Sequence, residues 1–127
     1  IPTGLQIEHV MPQAWSAHWP IGEVTVSAHQ AAYPSSLDAE QPELAEAIRA
    51  RNAAINRLGN LTLLNLYANP AASNGGYAVK RNEYKHSVLR INRYFDDRNY
   101  WDEVTIRERG RMLGERLLET WPREVPQ

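Results

Sequence analysis

The stretch Leu5-Gln6-Ile7-Glu8-His9-Val10 predicts how this chain begins to fold. Its residues alternate between apolar and polar until Glu8-His9, and Pro12 follows, which is typical of a short strand that ends at a proline. A second strand is predicted over Asn60-Leu61-Thr62-Leu63-Leu64-Asn65. The two strands can pair as an antiparallel hairpin, although the segment that connects them is unusually long.

The long connection is expected to contain one clear helix. Pro42 and Glu43 suit the first turn of a helix over 42–57, and Gly59, just past its end, suits a left-handed cap. Residues 13–40 show no sustained periodicity, so we expect an irregular segment with at most a short helix.

Further helices are predicted after the second strand. Asn69-Pro70 is a good helix start, and Asn74-Gly75-Gly76 interrupts that helix. A helix from about 78 to 95 is predicted by one apolar stripe at helical spacing, made of Tyr84, Val88, Ile91 and Phe95. Apolar spacing also predicts a last helix over about 103–121. The predicted fold class is therefore α+β: a mainly helical domain around a short two-stranded hairpin and a helix.

Composition limits the class of protein. The 127 residues suit one domain, 1–127, and a hydrophobic fraction of 43% is enough for a packed core. No apolar run approaches the ~20 residues of a membrane span, and the absence of Cys excludes disulfides and thiolate chemistry. Because the chain opens Ile1-Pro2-Thr3-Gly4, without an initiator Met or a signal segment, we expect a domain from a longer cytoplasmic protein.

Charge is segregated along the chain, although the net charge is only −1. The net charge is −6 over residues 1–48, +7 over 49–94 and −2 over 95–127. A basic block of this kind is a candidate surface for a polyanion. On charge alone, an ordinary solvated helix face is the favoured explanation.

Glu8 and His9 are the first candidates for chemistry. Neighbours on a strand point to opposite faces, but a strand that ends there allows both side chains to reach one site. Alone, such a pair is most simply a surface Glu beside a partly buried His. Polar residues that follow at intervals change that interpretation: they are Asn60, Asn69, Asn74 and Lys80.

This combination resembles the HNH (ββα-metal) nuclease motif. It is more narrowly similar to the C-terminal domain of GmrSD-type, modification-dependent restriction endonucleases. The segments that carry the resemblance are Ile7–Pro12, Leu58–Leu64, Asn69, Ser73-Asn74, Lys80, Ile106–Arg109 and Trp121. It covers about residues 5–122, with a ββα core at about 5–95, and it has Asn instead of His at the third letter of the motif name.

The resemblance implies roles for four residues. His9 would be the general base, for which imidazole suits because it exchanges protons near neutral pH. Asn60 would hold the loop and orient His9, and Glu8 and Asn69 would bind one divalent cation. Oxygen ligands favour Mg²⁺ or Mn²⁺. A zinc site made of histidines is not favoured, because the four His are far apart and no two are spaced i, i+4.

The resemblance also implies that double-stranded DNA lies against the basic block. The predicted contacts are Asn74, Lys80, Arg81, Lys85, Arg90 and Arg93, with Asn74 and Lys80 contacting a phosphate or bracing the site. Phosphate contacts position a protein without specifying sequence, so we expect little sequence preference. An N-terminal nucleotide-hydrolysing sensor domain of the same protein would be the other partner, in anti-phage defence.

The predicted function is a metal-dependent DNA endonuclease that nicks one strand. A break in both strands needs a homodimer or a second event. One alternative is a non-catalytic module that binds nucleic acid through the 80–93 surface and whose binding weakens with salt. Another is a helical regulatory domain whose basic face meets an acidic partner.

Overall fold

The computed structural model describes residues 4–65 and 75–120. Strand β1, Leu5–His9, pairs antiparallel with strand β2, Leu61–Asn65, and sets Glu8 opposite Thr62 and His9 opposite Leu61. The predicted hairpin and the α+β class are confirmed.

Helices and short 3₁₀ turns surround this hairpin. The α-helices are α1 Ala28–Ala32, α2 Pro42–Ala54, α3 Tyr77–Lys85 and α4 Glu103–Thr120. The 3₁₀ segments are Trp15–Ala17, Pro34–Leu37, Leu58–Asn60 and Arg90–Asp97. Each helix in the described ranges is too short or too polar to cross a bilayer.

The long connection contains the predicted α2, which ends at Ala54 instead of residue 57. The irregular stretch before it includes α1, whose first turn is stabilised by reciprocal bonds between Ser27 and Gln30. Indole and aliphatic side chains from this connection join the core, including the buried Trp15 and Ile48. The connection is therefore part of the folded domain.

The single helix predicted from 78 to 95 is wrong. Helix α3 ends at Lys85, and the chain resumes as a 3₁₀ helix at Arg90. The Arg93 guanidinium donates to the carbonyls of Lys85 and Ser87, so a side chain satisfies carbonyl groups at the end of α3. The apolar spacing also misplaced Val88, which is 97% exposed.

Gly59 is explained by a close approach between backbones. It does not have a positive φ, so the predicted left-handed cap is wrong. A Cβ atom at Gly59 would lie 1.8 Å from the Ile106 carbonyl oxygen and 2.7 Å from the Gly110 nitrogen. Helix α4 therefore packs directly on the turn before β2, and Arg109 donates to the Gly59 carbonyl at 2.9 Å.

Candidate active site

Glu8 and His9 lie at the last two positions of β1, where the chain enters the core. The next two residues, Val10 and Met11, are completely buried. The Val10 N–H donates to the Asn60 carbonyl at 2.8 Å, which continues the contact between the two strands past the end of β1. The end of β1 is therefore fixed by the burial of the residues that follow it and by this hydrogen bond to the segment before β2.

Asn60 connects three parts of the chain through its buried amide. Its Oδ1 accepts from the Met11 N–H at 2.8 Å and from the Trp101 indole at 3.0 Å. Its Nδ2 donates to the carbonyls of Met11, at 2.9 Å, and Ile55, at 2.8 Å. All four hydrogen bonds of the amide are thus formed, and replacing it would leave buried groups unpaired. Its four partners do not include His9, and the closest of them along the chain is Met11, two residues after His9.

The His9 ring has a partner that the sequence did not indicate. His9 Nε2 lies 3.2 Å from Oδ1 of Asn56, in the turn that follows α2. The two residues are separated by 47 positions, and nothing in the residues around Asn56 distinguishes it from the chain's other asparagines.

Glu8 is held by two side chains of α3. Its Oε2 lies 3.3 Å from Nζ of Lys80 and 3.4 Å from the hydroxyl of Tyr84. Its Oε1 makes no hydrogen bond within the described part of the chain. The carboxylate is therefore anchored through one oxygen.

Lys80 and Tyr84 are both completely buried. Burial lowers the pKa of Lys80, and the neighbouring Glu8 carboxylate partly opposes that change. Burial raises the pKa of Tyr84, and Glu8 raises it further. The sequence suggested that Tyr84 is a core residue only, and its separation of 76 positions from Glu8 gave no sign of the contact.

Lys80 also donates to the His9 carbonyl at 2.8 Å, so it joins the backbone of one candidate residue to the side chain of the other. These contacts are those expected of a residue that braces the site, one of the two roles predicted for Lys80. Its contact with a phosphate stays a prediction.

The other predicted DNA-contacting residues lie on α3 and the following 3₁₀ helix. Arg81 donates to the Phe95 and Asp96 carbonyls, and Arg93 also donates to backbone carbonyls. Lys85 and Arg90 are exposed to solvent. The predicted surface is thus divided between bases that stabilise the fold and bases that point to solvent.

Two predicted site residues, Asn69 and Asn74, lie outside the described residues. Within 4–65 and 75–120, no group of three or more His, Asp or Glu side chains is arranged to hold a metal ion. Of the two predicted metal ligands, the structure therefore describes Glu8 alone.

Replacing Lys80 with methionine tests its bracing contacts. We expect the free energy of unfolding to fall by about 1–3 kcal/mol, because the Glu8 carboxylate and the His9 carbonyl lose their common donor. Urea unfolding measures the change. The control is Lys85→Met at an exposed position, which should alter stability by less than about 0.5 kcal/mol. Equal stability of the two variants would show that the buried ion pair contributes nothing.

A carboxylate and an imidazole thus lie side by side at the end of β1, and the buried Asn60 amide fixes the adjacent backbone. The sequence model of the family described as GmrSD restriction endonucleases, C-terminal domain, matches residues 2–116. The chain belongs to this family, and the predicted resemblance is confirmed. Searches of curated proteins and of solved structures gave no match.

Proposed function

We propose that this domain is a metal-dependent endonuclease that nicks double-stranded DNA. The observation that supports this most is the position of Glu8 and His9 together at the end of β1, in a chain of a restriction-endonuclease family. His9 accepts the proton of the attacking water, and Asn60 fixes the backbone beside it.

Glu8 is the residue in the described part of the chain that would hold the cation. A carboxylate oxygen suits Mg²⁺ or Mn²⁺, and an Oε1 with no hydrogen bond to the described residues, beside an anchored Oε2, fits that role. Asn69 is the second proposed ligand. When bound, the cation would stabilise the charge that develops on the phosphate and the leaving oxygen.

The exposed Lys85 and Arg90 are the bases best placed to meet the DNA backbone. Arg81 and Arg93 have their guanidinium groups partly occupied by carbonyls and would contribute mainly charge. For the whole protein, we propose an N-terminal nucleotide-hydrolysing domain that senses modified DNA in defence against phage.

Incubation of the chain with supercoiled plasmid tests this function. We expect conversion to open circles in Mg²⁺ or Mn²⁺ and none in EDTA, because one site cuts one strand. Salt-sensitive DNA binding with no cutting in either metal would support the non-catalytic binding module instead. If the chain neither binds nor cuts DNA, both the endonuclease and the non-catalytic binding module are rejected.

A further inference from the structure

We propose that Asn56 is a positioning residue that fixes the tautomer of His9. In this arrangement Asn56 Oδ1 accepts the Nε2–H of His9 at 3.2 Å, and the lone pair of the neutral ring is on Nδ1. The tautomer is a property of the protein without metal or DNA. The further step, in which Nδ1 accepts a proton from water, rests on the proposed function.

The arrangement follows from the hydrogen-bonding capacity of the ring. A neutral imidazole has one N–H and one acceptor nitrogen, and the hydrogen bond at one nitrogen selects the state of the other. His9 Nδ1 has no hydrogen bond to any residue in the described ranges, and the side chain is only half-buried. With the opposite tautomer, the acceptor nitrogen Nε2 would face Asn56 Oδ1, which is also an acceptor, and the hydrogen bond would be lost.

The backbone on either side of Asn56 is held by hydrogen bonds. The preceding Ile55 is buried, and its carbonyl accepts from Nδ2 of Asn60 at 2.8 Å. The following Arg57 N–H donates to the Ala54 carbonyl at 3.1 Å. The backbone is therefore hydrogen-bonded both before and after Asn56.

Asn60 places the two partners relative to each other. The same amide that holds Ile55, one residue before Asn56, also binds both backbone groups of Met11, two residues after His9. The segments that carry the ring and its acceptor are thus joined by one buried side chain. Asn60 therefore keeps His9 and Asn56 within hydrogen-bonding distance of each other.

Nitrogen-15 NMR of the imidazole groups tests the inference without metal or DNA. At a pH where the rings are neutral, we expect His9 to show a protonated Nε2 and an unprotonated Nδ1. In Asn56→Ala the two nitrogens should shift towards a mixture of tautomers. Asn56→Asp should restore the wild-type pattern, because a carboxylate only accepts. Asn82→Ala, at an exposed asparagine of α3, is the matched control.

A protonated Nδ1 in the wild type, or identical spectra for the wild type and Asn56→Ala, would overturn the inference. Plasmid nicking by the same variants gives the second readout. We expect the nicking rate to fall about tenfold in Asn56→Ala, which is a fraction of the whole effect of a general base. The rate should recover in Asn56→Asp. If the tautomer shifts as expected and no variant cuts DNA, the proposed function fails and the positioning role stands.

Discussion

The His9→Ala variant is expected to nick supercoiled plasmid about 10²- to 10⁴-fold more slowly than the wild type, the usual contribution of a general base. The alanine cannot accept a proton from the attacking water, while the Glu8 carboxylate and its anchoring by α3 are unchanged. Initial rates of open-circle formation in saturating Mg²⁺ or Mn²⁺ measure the effect.

Stability provides the control for this variant. The described part of the chain gives the His9 ring one hydrogen bond, to Asn56 at a solvent-exposed position, so the fold should lose less than about 1 kcal/mol. The matched variant is His29→Ala, whose ring lies on α1 against Tyr33. It should cut at the wild-type rate. A His9→Ala protein that remains fully active would show that His9 is not the base.

The elements that depend on neighbouring residues could be predicted from the sequence. The alternation around Glu8, the proline at the start of α2 and the apolar spacing of α4 are local signals, and the structure forms all three elements. The break after Lys85 could not be predicted in this way. Spacing reports which residues face the core, and α3 and the following 3₁₀ helix each bury one aromatic residue of that spacing, Tyr84 and Phe95.

The contacts of the candidate site join residues that are far apart in the chain. Asn56 meets His9 across 47 positions, and Lys80 and Tyr84 meet Glu8 across 72 and 76 positions. Such partners are chosen by how the helices pack on the hairpin, which no local pattern encodes. The residue types of a site can therefore be proposed from sequence, whereas the residues that orient them require the structure.

Gly59→Ala is expected to destabilise the fold by about 3 kcal/mol or more, at or above the usual upper range for overpacking. The new methyl group would lie 1.8 Å from the Ile106 carbonyl oxygen and 2.8 Å from its carbon, both of them backbone atoms. A flexible side chain could move away, but here helix α4 itself would have to shift. Urea unfolding followed by circular dichroism measures the loss.

Two other glycines serve as controls for the Gly59→Ala variant. A Cβ atom at Gly110, on the opposite side of the same contact, would come no closer than 3.5 Å to Gly59, and one at Gly114 would meet nothing within 4 Å. Gly114→Ala should stabilise α4 by up to about 1 kcal/mol, and Gly110→Ala should be tolerated. If Gly59→Ala were as stable as these two, the close packing of α4 on the turn would be wrong.

The same substitution should also reach the candidate site, because Gly59 immediately precedes Asn60. Moving α4 away from Gly59 would displace the peptide that leads into the amide holding Met11 and Ile55. We therefore expect Gly59→Ala to shift the two His9 ring nitrogens towards the tautomer mixture expected of Asn56→Ala, even at temperatures where the chain remains folded. On the proposed arrangement, one close backbone contact at Gly59 would serve both the stability of the fold and the alignment of His9 with Asn56.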